Sequence, residues 1–360
     1  MRNLESVSRE NLNPVLEGGS LMNVKVGING LGRIGGAVLR AIHMRDGKLE
    51  VVRINDLTDT RILAGLLRND TVKGRFPAHV SYEEDALIIG GQRIPVTKER
   101  DPSKLNWGSH GENVIVVEAT GVFRTRKQCM CHVDAGAARV LLTVPPKDEI
   151  DFVTVIGCNE RGLNPSHRIV SNASCTTNSI GAPVRVLSEK FGIVGGLLTT
   201  VHSATNDQRV CDAVHSDLRR ARSVIGNLIP TSTGAAIATG QVVESVRGLL
   251  NGGSIRTPTV NGSVSVLDLL LKTDVTAEEV NAALKDASGG YLGGIMAVAD
   301  DDLDEIVLTD IVNRPESSII DAKRTMVVAG CMVQIYSWYD NEWGYTNRCV
   351  DLVELLSELS

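Results

Sequence analysis

The chain has 360 residues and an ordinary globular composition, in which 42% of the residues are hydrophobic and 22% are charged. That length predicts two domains, each large enough for its own hydrophobic core. A net charge of −6 gives no reason to expect nucleic acid or an anionic membrane as the main partner, and seven cysteines without paired ligand spacing indicate neither a disulfide framework nor a zinc site.

The first 20 residues are typical of a solvated extension, since they carry three Glu, two Arg and a Gly-Gly-Ser and no apolar stretch of signal-peptide type. No apolar run approaches the roughly 20 residues that a membrane span needs. We therefore expect a flexible extension over residues 1–21, a fold that begins near Met22, and a reducing, cytoplasmic environment.

The first motif is a strand, a glycine turn and a helix in the order of a dinucleotide-binding unit. Residues 24–29 alternate like a β-strand, residues 30–35 form a G-x-G-x-x-G turn, and residues 37–44 have helical periodicity. A second strand, residues 50–54, ends just before Asp56. This acid lies 21 residues after Gly35, where the ribose-binding acid of such units is found.

Each glycine of the turn has a physical role. Gly30 permits the tight turn, Gly32 lets the backbone approach the pyrophosphate, and Gly35 lets the helix pack closely on the strand. The free N–H groups at the start of the helix then bind the phosphates. These features favour a dinucleotide site over the alternative, a glycine-rich loop with an exposed Asp.

Short Val- and Ile-rich runs continue the first half and predict further strands. They are separated by Gly and Pro, and one intervening segment, residues 127–136, is predicted as a crossover helix. This pattern is typical of a mostly parallel, doubly wound sheet. The predicted strands are residues 86–89, 114–118, 140–144 and 153–157.

The most informative residue of the second half is Cys175. Residues 168–170 predict a strand and residues 180–191 a helix, which places Cys175 at the turn, in or beside the first helical turn. There the unpaired N–H groups and the helix dipole favour a thiolate, a potential nucleophile. The alternative is an inert, packed cysteine, and the polar residues 174 and 176–178 argue against it.

A histidine follows in the next predicted strand, residues 197–202. His202 lies 27 residues after Cys175 and is a candidate general base that would form a thiolate–imidazolium pair. The alternative is a structural histidine, and the spacing alone does not decide between them.

Arginine, hydroxyl and glycine groups then accumulate in three segments, residues 203–226, 230–234 and 254–258. Arginine forks, hydroxyls and glycine N–H groups suit phosphate oxyanions. The alternative is a solvated loop whose arginines serve an oligomer interface.

The last part of the chain predicts an α+β domain with a substantial antiparallel sheet. Strands are expected at residues 265–272 and 326–339, with a helix at residues 277–287 between them. Thr276 and Glu279 form a potential capping box for that helix. A final helix over residues 341–359 is expected to be capped by Asp340.

Taken together, these motifs resemble the phosphorylating glyceraldehyde-3-phosphate dehydrogenase family over nearly the whole chain from Val24 onward. The 27-residue interval between the cysteine and the histidine is part of the resemblance. The matching stretches are Val-Gly-Ile-Asn-Gly-Leu-Gly-Arg-Ile-Gly, Ser-Asn-Ala-Ser-Cys-Thr-Thr-Asn, Thr-Thr-Val-His-Ser-Ala-Thr-Asn-Asp-Gln, Asp-Leu-Arg-Arg-Ala-Arg and Trp-Tyr-Asp-Asn-Glu-Trp-Gly-Tyr.

The resemblance implies a role for each matching residue. Cys175 would be the nucleophile and His202 its base. The site for attacking phosphate would use Ser174, Thr176, Thr233 and Gly234. The site for the substrate's own phosphate would use Thr205, Asp207 and Arg256, with Arg220 as a further substrate-binding arginine.

On the cofactor side, the resemblance implies that NAD contacts Arg33, Ile34, Asp56, Arg100, Thr143 and Asn341, besides Gly30, Gly32 and Gly35. Asn341 is expected near the nicotinamide amide. The family also implies a role in glycolysis, the substrates glyceraldehyde 3-phosphate and inorganic phosphate, and a homotetramer in which residues 203–226 lie beside a neighbour's cofactor. No metal is implied.

The implied fold has an N-terminal Rossmann-type domain over residues 22–174, completed by the helix of residues 341–360. An α+β catalytic domain, with a largely antiparallel sheet, is expected over residues 175–340.

The sequence also departs from the family pattern, without loss of a catalytic group. Gly36 stands where Arg is usual, Ile237 where Lys is usual, and residues 260–262 where Pro-Asn-Val is usual. Ser179 replaces a second cysteine. Residues 213–214, Ala-Val, replace the Leu-Pro of strictly NAD-dependent members and resemble dual-specificity relatives, whereas Asp56 favours NAD over NADP.

Two alternatives to the triose enzyme remain at this stage. The related erythrose-4-phosphate dehydrogenase shares the Cys/His chemistry, but residues 233–236, Thr-Gly-Ala-Ala, favour the triose enzyme. A non-catalytic, NAD-binding or redox-sensing paralogue would fit the departures, and the intact cysteine, histidine, arginine and asparagine argue against it.

Overall fold

The computed structural model describes residues 24–45, 47–301 and 305–359, so the extension expected over residues 1–21 lies outside the described residues. Within these ranges the chain forms two α/β units, each built on its own large sheet. None of the helices in the described ranges has the length and apolar character needed to cross a membrane.

The first unit holds eleven short strands, and most of those with four or more residues are rich in Val, Ile and Leu. They are β1 (Val24–Asn29), β2 (Leu49–Asn55), β3 (Asn69–Asp70), β4 (Gly74–Arg75), β5 (Val80–Glu83), β6 (Ala86–Ile89), β7 (Gln92–Thr97), β8 (Ile115–Glu118), β9 (Arg139–Leu142), β10 (Phe152–Val153) and β11 (Ile169–Ser171).

Nine of these strands form the first sheet, in the order β10-β11-β9-β8-β1-β2-β7-β6-β5, while β3 and β4 form a separate hairpin. The strands from β10 to β7 pair in parallel, and β6 and β5 add an antiparallel edge. The predicted doubly wound sheet is confirmed. The carboxyl ends of β1, β2 and β8 meet at one edge, which is where ligands bind in such sheets.

Three helices accompany this sheet: α1 (Arg33–Met44), α2 (Thr60–Arg68) and α3 (Arg126–Asp134). The structure begins α1 four residues earlier than the sequence predicted, directly at the glycine turn. α3 begins with a complete capping box between Thr125 and Gln128, which was not predicted.

The second unit holds the remaining strands and the helices between residues 175 and 311, and the last helix packs against the first unit. The strands are β12 (Ile193–Ser203), β13 (Ile229–Ser232), β14 (Leu250–Thr257), β15 (Ser263–Leu271), β16 (Met296–Ala299), β17 (Ser318–Asp321), β18 (Met326–Val328) and β19 (Met332–Tyr339). The helices are α4 (Cys175–Phe191), α5 (Ala235–Val242), α6 (Ala277–Gly289), α7 (Leu308–Ile311) and α8 (Trp343–Glu358).

The second sheet has the order β13-β14-β12-β15-β19-β17-β16, with β18 paired to β19, and most of its pairs are antiparallel as predicted. The capping box of Thr276 and Glu279 at the start of α6 is also present. Although α8 ends the chain, it packs against α1 and β9 of the first unit.

Two of the predicted strands are longer than the strands in the structure. Residues 326–339 form two strands rather than one, because Ala329 and Gly330 adopt positive φ angles of 52° and 75° and reverse the chain. The strand predicted over residues 153–157 ends at Val153. The Asn159 side chain accepts from the Val155 N–H and donates to the Val153 carbonyl, at 3.0 and 2.9 Å, and so takes over the backbone groups that a longer strand would use.

Candidate active site

The glycine turn between β1 and α1 has the geometry that a pyrophosphate site needs. Gly30 has a φ of +90°, which L side chains rarely adopt. A Cβ on Gly35 would lie 1.9 Å from the Gly30 carbonyl oxygen, whereas Gly32 is exposed and a Cβ there would meet nothing within 4 Å. Gly30 and Gly35 are therefore required by the turn itself, and Gly32 leaves open space at the start of α1.

Asp56 closes the other side of this turn. Its carboxylate accepts from the Leu31 N–H at 2.8 Å and from the Thr58 N–H at 2.9 Å, one bond to each oxygen. Each carboxylate oxygen has a second lone pair, so the group still has acceptor capacity for ribose hydroxyls. The residues present thus fit an NAD molecule whose phosphates lie on α1 and whose ribose lies against Asp56.

The other residues expected to contact the cofactor lie around the same edge of the sheet. Ile34 is half-buried in the first turn of α1, and Arg100 is exposed just beyond β7. The Thr143 hydroxyl donates to the Glu118 carbonyl at 2.9 Å, which ties the ends of β8 and β9 together.

The Arg33 side chain pairs with two carboxylates of the protein. Its guanidinium forms a two-pronged pair with Glu342, at 2.8 and 2.5 Å, and a second pair with Asp70. The hydrogen bond to Glu342 is the main reason that its pKa is raised above the usual value. The side chain therefore joins α1 to the start of α8, and the N–H groups of this turn remain for the cofactor.

Cys175 is the first residue of α4, as its expected position at a strand-to-helix turn requires. Ser174 is the N-cap, and its hydroxyl accepts from the Thr177 N–H at 3.1 Å. Ala173 has a positive φ of 51°, so the chain turns sharply into the helix. Ser174 and Thr176 thus flank the sulfur at a helix N-terminus.

The structure brings His202 to Cys175. The Cys175 Sγ lies 3.5 Å from the His202 Nε2, and the histidine is buried at the end of β12. Tyr339 stands edge-on to the imidazole, with ring centroids 5.9 Å apart, and its hydroxyl is 2.9 Å from those of Thr176 and Thr200. This tyrosine was not predicted as a site residue, although it belongs to the matching Trp-Tyr-Asp-Asn-Glu-Trp-Gly-Tyr stretch, because it lies 164 residues from Cys175 and nothing local links the two.

Arg256 lies on the far side of the imidazole. Its Nη1 is 2.6 Å from the His202 Nδ1 and 3.2 Å from the Ser203 carbonyl oxygen, which is itself 2.8 Å from the same Nδ1. Arginine can only donate, so the Arg256 contact requires an unprotonated Nδ1, whereas the carbonyl contact requires an N–H there. The second tautomer leaves Nε2 free to accept the proton of Cys175.

These surroundings determine the charge states of the pair. Burial raises the pKa of the Cys175 thiol; Arg256 and the N–H groups of the first helical turn lower it, but burial prevails. Burial and the positive charge of Arg256 lower the pKa of His202 to about 3. The expected preference for a thiolate at the helix N-terminus is thus opposed by burial, and the pair is a thiol beside a neutral base.

The other expected substrate residues form a polar cluster near this pair. The Arg220 guanidinium donates to Asp207 at 2.6 Å, and His215 contacts the other oxygen of Asp207 at 3.2 Å. Burial acts to raise the pKa of Asp207, but the hydrogen bonds from His215 and Arg220 lower it. The Thr205 hydroxyl donates to Gln208 at 2.9 Å.

Thr233 and Gly234 precede α5. The Thr233 hydroxyl accepts from the Ala235 N–H at 3.2 Å, and Gly234 is exposed. Arg220 also reaches the Ser232 carbonyl, at 3.4 Å, and so links this turn to the Asp207 cluster.

Asn341 lies between the two units with its side-chain oxygen fully used. That oxygen accepts from the Ser203 hydroxyl at 2.9 Å, the Ser263 hydroxyl at 3.0 Å and the Gly262 N–H at 3.0 Å. Because Ser203 follows His202, Asn341 belongs to the same site. Among the described residues, no group of three or more His, Cys, Asp or Glu could hold a metal ion.

Comparisons with known proteins give matches to one enzyme family over most of the chain. Residues 24–126 match the family model described as the NAD binding domain of glyceraldehyde 3-phosphate dehydrogenase, and residues 174–341 match the C-terminal domain of the same enzyme. Glyceraldehyde-3-phosphate dehydrogenase from Thermotoga maritima is 52% identical over 93% of this chain and 99% of its own length. Glyceraldehyde-3-phosphate dehydrogenase 1 from Bacillus subtilis is 49% identical over 94% and 99% of the two chains, and the Geobacillus stearothermophilus enzyme is 49% identical over 93% and 99%.

Proposed function

This chain belongs to the glyceraldehyde-3-phosphate dehydrogenase family, and from that membership we propose that it oxidises glyceraldehyde 3-phosphate with NAD and inorganic phosphate to 1,3-bisphosphoglycerate, as an enzyme of glycolysis. The observation that carries the proposal is the 3.5 Å approach of the Cys175 Sγ to the His202 Nε2 at the N-terminus of α4.

In the proposed mechanism, the Cys175 sulfur bonds to the aldehyde carbon while His202 takes the thiol proton and delivers it to the aldehyde oxygen. His202 Nε2 then accepts the hydroxyl proton of this hemithioacetal as the carbon is oxidised. NAD, when bound, supplies the acceptor for the hydride, and a thioester remains on Cys175. An oxygen of inorganic phosphate then bonds to the acyl carbon, and the sulfur leaves and takes back the proton held on His202.

Burial and the charge of Arg256 lower the pKa of His202 and so keep its imidazole neutral in the resting site, which is the form that accepts a proton.

Two phosphate sites follow from this chemistry. We assign the substrate's own phosphate to Thr205, Asp207 and Arg256, with Arg220 beside them. The attacking phosphate is assigned to Ser174, Thr176, Thr233 and Gly234, at the starts of α4 and α5, where free N–H groups favour anions. Arg256 contacts His202 and is close enough to Asp207 and Arg220 to feel their charges, which supports its assignment to the site for the substrate's own phosphate.

The cofactor is assigned to the edge of the first sheet. Its phosphates would lie on Gly30, Gly32, Arg33, Ile34 and Gly35, its ribose against Asp56, and its nicotinamide half near Thr143 and Asn341, with Arg100 beyond β7. Asp56 favours NAD, because its charge would repel the 2′-phosphate of NADP.

We propose a homotetramer that works in the cytoplasm. In support, residues 204–228 expose Val214 to 94% and Leu218 to 85%, and the second sheet exposes Leu197 and Met332 to more than half on the face away from α4. Exposed apolar area of this extent is typical of subunit contacts.

The cysteines support the proposed location in the cytoplasm. All seven lie within the described ranges and none forms a disulfide, which fits a reducing compartment.

The test is a steady-state assay of NAD reduction with glyceraldehyde 3-phosphate, with and without inorganic phosphate. We expect multiple turnovers only with phosphate, and faster turnover with NAD than with NADP. A higher kcat/KM for erythrose 4-phosphate would overturn the choice of substrate. Binding of NAD without any turnover would indicate a non-catalytic paralogue. Light scattering after gel filtration tests the tetramer.

A further inference from the structure

A buried ion pair joins the two units beside the nicotinamide end of the proposed cofactor site. Lys73, in the turn between β3 and β4, places its Nζ 3.3 Å from Asp340 Oδ2 and 3.5 Å from Oδ1. The two side chains are only 3% and 0% exposed. The same ammonium lies 3.7 Å from Glu342 and 5.5 Å from the centre of the Trp343 ring.

The two carboxylate oxygens of Asp340 bind different parts of the protein. Its Oδ1 accepts from the N–H groups of Glu342 and Trp343, at 2.9 and 2.6 Å, and so caps α8. Its Oδ2 accepts from the Asn261 side chain at 2.8 Å and the Asn313 N–H at 2.7 Å. Without Lys73 this carboxylate would be buried without the one ion-pair partner that the described residues give it, which is costly and drives rearrangement.

Asn341 is the next residue and depends on the same contacts. Asp340 binds Asn261, and Asn341 accepts from the adjacent Gly262 N–H at 3.0 Å, so two neighbouring side chains bond to two neighbouring residues of one loop. Gly262 has a φ of +87°, and a Cβ there would lie 2.8 Å from Leu308, which leaves the loop little freedom. A shift of Asp340 would therefore carry the Asn341 amide with it.

We propose that Lys73 is a positioning residue of the active site: by fixing Asp340 from the first unit, it holds the Asn341 amide in place for the nicotinamide half of NAD. The inference rests on the proposed function only in placing the nicotinamide near Asn341. It adds a residue with no local sequence signal, 268 positions from the amide that it controls.

The test compares the binding of NAD with that of ADP-ribose, which lacks only the nicotinamide, by titration calorimetry. For Lys73→Met we expect NAD affinity to fall about fivefold to tenfold, as for one lost hydrogen bond, and ADP-ribose affinity to stay unchanged. Lys73→Arg, which keeps the charge, should restore most of the NAD affinity. If Lys73→Met does not fold, Lys73→Gln takes its place.

Arg45→Met is the matched control. Arg45 also joins the first unit to α8, through Asp351 at 2.7 Å and Glu354 at 3.3 Å, but it lies away from Asn341. Its loss should lower the melting temperature and leave both affinities unchanged. Equal losses of NAD and ADP-ribose affinity in Lys73→Met, or no loss of either, would overturn the proposal.

A double-mutant cycle identifies the route of the effect. If Lys73 acts through Asn341, Lys73→Met should no longer weaken NAD binding when Asn341 is already Ala. Additive losses would contradict that route. Because these are binding measurements, they decide the inference even if the wild-type protein shows no phosphate-dependent turnover, a result that would overturn only the proposed function.

Discussion

The two halves of the proposed site are built from different chemical groups. The cofactor half is made mostly of backbone, in which Gly30 and Gly35 shape a turn and N–H groups face the phosphate position. The catalytic half is made of side chains: the buried His202 and the half-buried Cys175 and Arg256 come from three separate elements. We therefore expect that substitutions which weaken the binding of NAD differ from those which lower the turnover rate.

Cys175→Ser is the sharpest test of this separation and has the largest expected effect. The hydroxyl is a much weaker nucleophile at neutral pH, so we expect kcat to fall by roughly 10⁴- to 10⁶-fold, as when other enzymes lose their nucleophile. NAD affinity should be unchanged, because no cofactor contact is assigned to the sulfur. Cys131→Ser, on α3, is the control and should keep full turnover. Turnover of the Cys175→Ser protein equal to that of the wild type would refute the covalent route.

His202→Asn should have the next largest effect. Removal of a general base costs roughly 10²- to 10⁴-fold in rate. We expect that loss in kcat, measured as NADH formation, together with unchanged NAD affinity. His79→Asn replaces an exposed histidine of the first unit and should leave both quantities unchanged. A His202→Asn enzyme that kept its kcat would mean that another group serves as the base.

The same division explains how far the sequence could be interpreted. The glycine turn and Asp56 are local features, and their spacing alone predicted their place in the fold. The helix predicted over residues 180–191 begins five residues earlier, at Cys175, within the turn where the sequence had placed this cysteine. The capping box of Thr276 and Glu279 is equally local, and it is present. In these segments the chemistry of a few adjacent residues decides the conformation.

The catalytic half could be predicted only in part, because its contacts join distant segments. The interval from Cys175 to His202 suggested a pair, but the contact itself depends on β12 lying beside α4. Tyr339 and Asp340 lie in a recognisable stretch, but no local signal indicates the contact of Tyr339 with Thr176 or the pairing of Asp340 with Lys73. The error at residues 153–157 has a different, local cause, since the Asn159 side chain, six residues from Val153, takes the groups that a strand would use.

Arg256→Leu should change both the binding of the substrate and the pKa of the Cys175 thiol. Loss of a charge-assisted contact to the substrate phosphate should raise KM for glyceraldehyde 3-phosphate by roughly tenfold to 100-fold. The Arg256 charge also lowers the pKa of the Cys175 thiol, so its removal should raise that pKa and move the pH profile of Cys175 alkylation to higher pH. An unchanged KM with a shifted profile would remove Arg256 from the phosphate site and keep its electrostatic role.

Gly32→Ala should have the smallest effect, and it examines the cofactor half alone. A Cβ at this position meets nothing within 4 Å in the protein, and the φ of −72° suits alanine, so the melting temperature should not change. The same Cβ would stand where the pyrophosphate approaches the backbone, and we expect NAD affinity to fall about tenfold, or about 1.4 kcal/mol. Gly65→Ala, an exposed glycine of α2 that also faces open space, is the matched control and should leave NAD affinity unchanged.

Gly35→Ala differs from both, because its Cβ would overlap the Gly30 carbonyl oxygen, and it should lower the free energy of unfolding by about 1–3 kcal/mol before any cofactor binds. If Gly32→Ala weakened the protein as Gly35→Ala does, the turn would be determined by packing at every glycine, and the assignment of the phosphates to Gly32 would lose its support.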